Sequence, residues 1–331
     1  MTIACHAYAR AGLLGNPSDG YFGKIIAVSV KNFSARVSLD ESSDLWITPS
    51  EQDSSTYPNI QALAENIDQY GYYGGIRLIK AAIKKFWEYC ETHKIPLKNK
   101  NFTLRYSSDI PRQLGLGGSS AIITAAVKAL MQFYSTNIPQ EILPSLILNA
   151  ELEELGINAG FMDRVIQVYE GCVYMDLDQR IIDRKGHGLY KQLDPSLLPP
   201  LYLAYNRSLG KVSGKVLNDI RLGWDRKDPL VIKTLARIAD IAAEGKKALI
   251  DKDYAYLFSL MNENFDLRSR IMKISAGNME MIKTARGCGV SAKFAGSGGA
   301  IIGMFDHENT FERLKKELNK IGAVTIKPII D

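Results

Sequence analysis

The sequence predicts a two-domain α+β protein, and three observations support this fold class. The chain has 331 residues, of which 46% are hydrophobic, enough for about two domains of roughly 150 residues each. Its beginning has the β-branched segments typical of strands, whereas the later part contains long helical patterns. Between them, Leu197-Leu198-Pro199-Pro200 marks a connection because proline excludes helix. We therefore place the two domains at residues 1–195 and 196–331.

The first domain begins with strand patterns. Ile3 to Leu14 is small and apolar and runs into turn-forming residues, which predicts a strand followed by a turn. Ile25 to Val30 and Ser34 to Leu39 predict two strands joined by Lys31-Asn32-Phe33. The further predicted elements are a helix over 75–93, a strand over 102–106, helices ending near 134 and spanning 143–155, an apolar pattern over 165–169 and a strand over 172–177.

Helical patterns dominate the second domain. Long helices are predicted over 229–249, 254–271 and 278–288, because apolar residues recur there at helical spacing. A glycine-rich loop over 292–300 then leads into an apolar strand over 301–305. A helix over 310–320 and a strand over 324–329 close the chain.

Composition argues against several classes of protein. No run approaches the ~18 apolar residues of a membrane span, and the start lacks the apolar stretch of a signal peptide, so we expect a cytoplasmic protein without membrane association. The four cysteines are scattered, which predicts free thiols rather than a disulfide framework. The net charge of +5 is modest and spread out, so nucleic-acid binding is not expected.

The segment Pro111 to Ala121, P-R-Q-L-G-L-G-G-S-S-A, is the most informative stretch of the chain. Its glycines allow positive φ and close approach to a ligand, and an alanine-rich helix pattern follows at once. Ser119 and Ser120 can cap the first helical turn, and the free N–H groups with the helix dipole favour an anion. The natural anion for such a loop is a phosphate.

Two familiar phosphate-binding motifs are absent from this loop. A Walker A motif requires a Lys before the Ser, and a dinucleotide fingerprint requires a third glycine at the position of Ser120. The loop instead resembles P-x-x-x-G-L-G-S-S-A of the GHMP kinases, the superfamily of galactokinase, homoserine kinase and mevalonate kinase.

Two more segments extend this resemblance over the whole chain. Arg10 to Asp19 is similar to the first motif of the superfamily, R-x-x-L-x-G-E-H-x-D, with Arg10, Gly15 and Asp19 in register. It has Asn16 and Pro17 where galactokinases carry Glu and His, which argues against galactose as substrate. Lys293 to Ala300 is similar to the closing G-S-G-G segment. The resemblance implies a ribosomal-S5-like N-terminal domain and a ferredoxin-like C-terminal domain.

The resemblance also implies ATP and Mg²⁺ as cofactors, because these enzymes transfer a phosphoryl group from ATP. The magnesium ligands fall on Ser119, with Ser120 as second choice, and on Glu151, with Glu153 and Glu154 close by. The nucleotide would bind at Pro111, Gly115, Leu116, Gly117, Gly118, Ser119, Ser120 and Ala121.

Asp163 occupies the position of the catalytic base in the superfamily. Its neighbour Arg164 allows the alternative interpretation of a simple ion pair. Arg10 is expected near Asp163, where its positive charge would favour the ionised carboxylate that accepts the substrate proton. We therefore assign Asp163 and Arg10 to catalysis.

Within the superfamily, the sequence resembles the plant glucuronokinases, which implies a small sugar acid as substrate. The shared sequence segments include Gly15-Asn16-Pro17-Ser18-Asp19, Gly71-Tyr72-Tyr73-Gly74-Gly75, Ser213-Gly214-Lys215-Val216 and Asn264-Phe265-Asp266-Leu267-Arg268. The substrate would contact Asn16, Asp19, Tyr73, Gly296, Ser297, Gly298 and Gly299. Its carboxylate requires a cation, for which Arg112, Lys211, Lys215 and Arg268 are candidates.

Two alternatives remain open at this stage. The first is another sugar or heptose kinase of the same superfamily. The second is a non-catalytic sugar sensor on the same fold, which the presence of both Asp163 and Ser119 disfavours.

Overall fold

The computed structural model describes residues 2–49, 53, 59–61, 74–210 and 218–331. Tyr73, Lys211 and Lys215, which the sequence nominates for the substrate site, lie outside these residues. Among the described helices, none is long and apolar enough to cross a membrane. The strands are β1 Ile3–Leu14, β2 Lys24–Ser42, β3 Trp46–Ile47, β4 Asn101–Ser108, β5 Cys172–Asp176, β6 Leu189–Leu193, β7 Leu201–Tyr205, β8 Lys293–Phe294, β9 Ala300–Met304 and β10 Val324–Ile326. The helices are α1 Gly75–Thr92, α2 Gly118–Tyr134, α3 Leu143–Leu152, α4 Met162–Tyr169, α5 Gln179–Lys185, α6 Asn218–Asp225, α7 Pro229–Ile250, α8 Tyr254–Ile271, α9 Ala276–Gly287 and α10 Glu308–Lys320.

The long strand β2 is the centre of the first sheet. β1 pairs with one edge of β2, and β4 and β5 pair with the two halves of its other edge. The order β3-β4-β2-β5-β6 completes a six-stranded sheet with β1. This arrangement places Arg10, in the second half of β1, opposite Ser29 of the central strand β2.

The prediction of two strands joined at Lys31-Asn32-Phe33 is wrong, because β2 runs through this segment without a turn. The register against β1 shifts there, with Tyr8 opposite Ser34 and Ala9 opposite Val30. A segment without glycine or proline has no reason to reverse the chain, and the extra residues are accommodated as a bulge.

Helix α2 packs against β1 and β2, and its composition explains why it is buried. Its alanines let the helix approach the sheet closely, and Ala121, Ala125, Ala126 and Ala129 are fully buried. Helix α1 also packs against α2. The glycine-rich loop before α2 is therefore held at a fixed position relative to β1.

The second sheet is antiparallel and has the order β10-β7-β9-β8. Numbered within this sheet, the order is 4-1-3-2, which is that of a ferredoxin-like domain and agrees with the prediction. Its core includes Tyr202, Phe265, Phe294, Ile301, Phe311, Leu314 and Leu318.

The hydrophobic core continues between the two halves of the chain. Ala242 and Leu249 of α7 belong to the same buried cluster as Leu14 and Ile26 of the first sheet. Leu201 begins β7 directly after Pro199 and Pro200, as the proline signal indicates. The division at residues 195 and 196 remains a prediction.

Candidate active site

The end of β1 connects the two glycine-rich loops. The backbone N–H of Arg10 donates to the carbonyl of Leu116 at 3.1 Å, and that of Gly12 donates to the carbonyl of Ala295 at 2.7 Å. Loops about 180 residues apart in sequence are thereby fixed next to each other on one strand. The three motifs that the sequence singles out therefore meet in space.

Gly115 and Gly296 make the contact between the loops. A Cβ atom on Gly115 would lie 2.6 Å from the backbone nitrogen of Ser297, and one on Gly296 would overlap the carbonyl of Gly115. Gly115 also has a φ of 63°, which favours glycine. Both glycines are required because the two backbones touch without intervening side chains.

Helix α2 begins differently from the sequence expectation. Its N-cap is Gly117, with a φ of 77°, and no side chain caps the helix. The prediction that Ser119 or Ser120 caps the first turn is wrong because both serines lie inside the helix. Ser120 Oγ instead donates to the carbonyl of Gly117 at 3.0 Å. Without a side-chain cap, the helix dipole and the first-turn N–H groups favour an anion at this end.

Gln167 supports the same loop from α4. Its Nε2 donates to the carbonyl of Gly117 at 2.7 Å, and its side chain is buried. Sequence reasoning assigned Gln167 no role. The available signal was a polar residue inside an otherwise apolar helix pattern.

Arg10 and Asp163 form a two-point ion pair at the junction of the loops. Arg10 Nε donates to Asp163 Oδ1 at 2.7 Å, and Arg10 Nη2 donates to Oδ2 at 2.8 Å. The remaining terminal nitrogen, Nη1, donates to the carbonyl of Gly115. Arg10 therefore orients the carboxylate and fixes it against the glycine-rich segment Pro111 to Ala121, the predicted phosphate loop. The sequence predicts that these two residues lie close together.

Asp19 approaches the same carboxylate from the turn after β1. Its Oδ2 accepts a hydrogen bond from the backbone of Met162 at 3.2 Å, and Gly160 leaves room for it because a Cβ there would overlap the carboxylate. Burial, followed by the negative charge of Asp163, raises the pKa of Asp19.

A buried lysine holds the turn that contains Asn16. Lys293 Nζ donates to the carbonyl of Gly12 at 2.6 Å, to Asn16 Oδ1 at 2.5 Å and to the carbonyl of Phe294, the next residue in the chain, at 2.8 Å. Burial lowers the pKa of Lys293 well below its ordinary value, and Arg268 and Arg10 add to this. Sequence reasoning noted Lys293 as a motif residue without giving it this role.

Asn16 is enclosed by this network rather than open to solvent. Its side chain is buried, its Nδ2 lies 3.5 Å from the carbonyl of Gly296, and its backbone carbonyl accepts from Asn264 at 3.1 Å. Asn264 also accepts the N–H of Gly15 at 2.8 Å. The structure therefore supplies a positioning role for Asn16, while direct contact with substrate remains a prediction.

The second glycine-rich loop is anchored at its far end. The N–H of Gly299 donates to Asn278 Oδ1 at 2.8 Å, and the N–H of Asn206 donates to the carbonyl of Gly299 at 3.0 Å. Ser297 and Gly298 remain partly exposed, whereas Gly296 is buried. Within this loop, residues 297 and 298 are the more accessible to a ligand.

Ser119 and Glu151 lie together beside the phosphate loop. Ser119 Oγ donates to Glu151 Oε1 at 3.0 Å, and Glu151 is fully buried. The other carboxylate oxygen of Glu151 contacts Arg164, and burial lowers the pKa of that arginine to about 9. Hydroxyl and carboxylate oxygens are ligands that Mg²⁺ accepts, and the ion usually retains water and phosphate oxygens besides. The donor set therefore fits a magnesium ion shared with a bound nucleotide.

The neighbouring glutamates point elsewhere. Glu154 pairs with Lys84 at 2.5 Å and Glu153 pairs with Lys85 at 2.6 Å, both on α1. Among the described residues, no group of three or more His, Cys, Asp or Glu side chains forms a metal cluster by itself. Of the three glutamates, Glu151 is the one brought next to Ser119, although its role as a ligand remains a prediction.

Comparison with known proteins decides the family. Residues 77–171 match the GHMP kinases N terminal domain, and residues 246–324 match the GHMP kinases C terminal domain. Over 99% of the chain, the sequence is 41% identical to Glucuronokinase 1 of Arabidopsis thaliana, of which it covers 91%. This chain is a GHMP kinase. The kinase is also 44% identical to Probable glucuronokinase 2 of the same plant, over 98% of the chain and 90% of that protein.

Solved structures agree with the fold of this GHMP kinase. It superposes on Streptococcus pneumoniae phosphomevalonate kinase in complex with phosphomevalonate and AMPPNP with a TM-score of 0.78, covering 98% of this chain and 99% of that one. At 16% identity, this likeness shows the fold alone. The predicted superfamily and the α+β architecture are confirmed.

Proposed function

We propose that this GHMP kinase transfers the γ-phosphoryl group of ATP to the anomeric hydroxyl of D-glucuronate. The products are D-glucuronate 1-phosphate and ADP. The observation that carries the proposal is the Arg10–Asp163 pair, fixed where two glycine-rich loops meet, in a chain 41% identical to Glucuronokinase 1. The reaction forms a bond between phosphorus and the sugar oxygen and breaks the bond to the β-phosphate oxygen.

Asp163 accepts the proton of the attacking hydroxyl in this proposal. Its carboxylate lies at the first turn of α4, partly exposed, and is held at both oxygens by Arg10. A base in fixed orientation beside the phosphate loop is suited to in-line transfer. Arg10 acts by orienting Asp163 and by binding the carbonyl of Gly115.

The triphosphate binds along the glycine-rich loop and the N-terminus of α2. This end of the helix begins at Gly118 without a side-chain cap, so backbone N–H groups and the helix dipole favour phosphate oxygens. Ser119 and Glu151 would hold Mg²⁺, which when bound neutralises charge on the phosphate oxygens.

A coupled ADP-release assay with a panel of sugars tests the proposal. The panel contains D-glucuronate, D-galacturonate, D-glucose, D-galactose and a heptose 7-phosphate, each with ATP and Mg²⁺. We expect D-glucuronate to give the highest kcat/KM. A clear preference for galactose or for the heptose would contradict the uronate substrate, and binding of sugar without ADP release would favour the non-catalytic sensor.

A further inference from the structure

Arg268 is a buried cation at the edge of the active site. Only 2% of it is exposed, and it extends from α8 towards the loop that contains Gly296. Its Nη1 donates to the carbonyl of Gly296 at 2.6 Å, and its guanidinium lies 5.3 Å from the ring centre of Phe294. Contacts with a ring and a carbonyl fix the plane of the guanidinium group but do not neutralise its charge.

One nitrogen of this guanidinium has no hydrogen-bond partner in the part of the chain that the structure describes. Nη2 of Arg268 is buried and makes no hydrogen bond with the described residues, while Nε contacts only the sulfur of Met272 at 3.1 Å. The ion pairs of the site, Arg10 with Asp163 and Arg164 with Glu151, do not include it. A buried cation that no carboxylate contacts directly is costly, and an anionic ligand in contact with it reduces that cost.

Arg268 is also near the predicted catalytic pair. Gly296 lies next to both guanidinium groups, because a Cβ on Gly296 would lie 2.7 Å from Arg10 Nη1 while its carbonyl accepts a hydrogen bond from Arg268. Of the charged groups that act on Arg268, Asp19 raises its pKa and Arg10 lowers it. Burial nevertheless lowers the pKa of Arg268 to about 10, which still leaves it protonated at neutral pH.

The other candidates from the sequence compare poorly with Arg268. The side chain of Arg112 is 49% exposed and lies 3.9 Å from Asp53, and Lys211 and Lys215 lie outside the described residues. A forked, planar cation is also the preferred partner of a carboxylate, because two parallel N–H groups match its two oxygens.

We propose that Arg268 binds the carboxylate of the acid sugar and thereby sets the preference for a uronate over a neutral sugar. This inference rests on the proposed function, since it concerns how the same substrate is recognised. In the pyranose ring only the ring oxygen separates the anomeric carbon from the carbon that bears the carboxylate. With the anomeric hydroxyl at Asp163, the carboxylate therefore needs a cation near the Arg10–Asp163 pair, and Arg268 meets this requirement because it binds the carbonyl of Gly296 next to Arg10.

The test compares D-glucuronate with D-glucuronamide, in which a neutral amide of similar size replaces the C6 carboxylate. Kinetics and calorimetric binding are measured for the wild-type kinase, Arg268→Gln and Arg268→Lys. Arg270→Lys is the matched control, because Arg270 is exposed two residues further along α8. ADP binding and the melting temperature report on folding.

We expect the wild-type kinase to prefer D-glucuronate and Arg268→Gln to lower its kcat/KM for D-glucuronate on the order of 100-fold, mainly through KM. The value for D-glucuronamide and the affinity for ADP should change less than about threefold. Arg268→Lys keeps the positive charge but loses the forked geometry, so its kcat/KM for D-glucuronate should lie between those of the wild type and Arg268→Gln. Arg270→Lys should resemble the wild type.

Two results would overturn the role of Arg268. One is a wild-type enzyme with the same kcat/KM for D-glucuronate and D-glucuronamide. The other is an Arg268→Lys variant in which kcat/KM falls equally for both compounds while ADP binding is retained. If Arg268→Gln does not fold, the kinetics of Arg268→Lys and of the wild type with the two compounds still test whether Arg268 binds the carboxylate. Failure of the proposed function is visible separately, as absence of D-glucuronate turnover in the wild type.

Discussion

Arg10 and Asp163 share two parallel hydrogen bonds of 2.7 and 2.8 Å across 153 positions of sequence. The pairing holds the carboxylate beside Gly117, where an added Cβ would lie 3.3 Å from Asp163 Oδ2, and the same guanidinium binds the carbonyl of Gly115. The remaining lone pairs of the carboxylate stay available to a hydroxyl. The geometry is that of an oriented base.

Asp163→Asn should reduce kcat by about 10²- to 10⁴-fold, because an amide cannot accept the substrate proton. Nucleotide binding should change little, since the phosphate loop keeps its backbone contacts. Steady-state kinetics and calorimetry with ADP measure the two effects, with Asp183→Asn on the exposed side of α5 as control. Activity within tenfold of the wild type would exclude Asp163 as the base.

Gly296→Ala should destabilise the protein by about 1–3 kcal/mol, because the added methyl would overlap the carbonyl of Gly115. Gly287→Ala is the matched control, since nothing lies within 4 Å of a Cβ at that helix end. The control should be neutral or more stable by up to about 1 kcal/mol. Urea unfolding of both variants measures the difference. Equal stability of the two would show that the loops are not in backbone contact.

Ser119→Ala and Glu151→Gln should each raise the Mg²⁺ concentration required for half-maximal activity by roughly 10- to 100-fold. Both remove an oxygen from the predicted donor set, and Ser119→Ala leaves the contact of Glu151 with Arg164 intact. Glu153→Gln is the control, because Glu153 pairs with Lys85 on α1. A magnesium titration in which Glu153→Gln, rather than Glu151→Gln, shows the shift would reassign the ligand.

Asp19→Asn should increase stability at pH 7 relative to the wild type, and this gain should shrink as the pH falls. Burial and the charge of Asp163 raise the pKa of Asp19 above its ordinary 3.8, so the folded chain binds that proton more tightly than the unfolded chain. The contribution of Asp19 to stability is therefore full below pH 3.8 and is lost as the pH rises through its folded pKa. Asparagine carries no charge to bury, and urea unfolding at pH 7 and pH 4 measures the trend. A gain that grows towards pH 4 would contradict the raised pKa.

Local signals in the sequence were sufficient for much of the fold. The helix after the phosphate loop ends at Tyr134 and α8 spans Tyr254–Ile271, as their apolar periodicities predict. Periodicity failed at Lys31-Asn32-Phe33, because a bulge in a paired strand and a loop have similar polar composition. The serine cap failed because a glycine in the left-handed region can begin a helix by itself.

The site was only partly accessible to sequence reasoning. The motifs around Arg10, Gly117 and Asp163 are recognisable because backbone geometry and charge pairing constrain them tightly. The burial of Arg268 and Lys293 could not be read from the sequence, since it depends on how α8 and β8 pack against the end of β1. The enclosure of Asn16 by Lys293 likewise exists only in three dimensions.

The identity of the product tests the central claim most directly. Phosphorus-31 NMR of the wild-type kinase with D-glucuronate, ATP and Mg²⁺ distinguishes an anomeric phosphate from phosphate at any other hydroxyl, because only the former couples to the anomeric proton. We expect a single new signal from D-glucuronate 1-phosphate that accumulates with ADP. Phosphate on another oxygen, or an unchanged spectrum while a neutral sugar is phosphorylated under the same conditions, would contradict the proposed function.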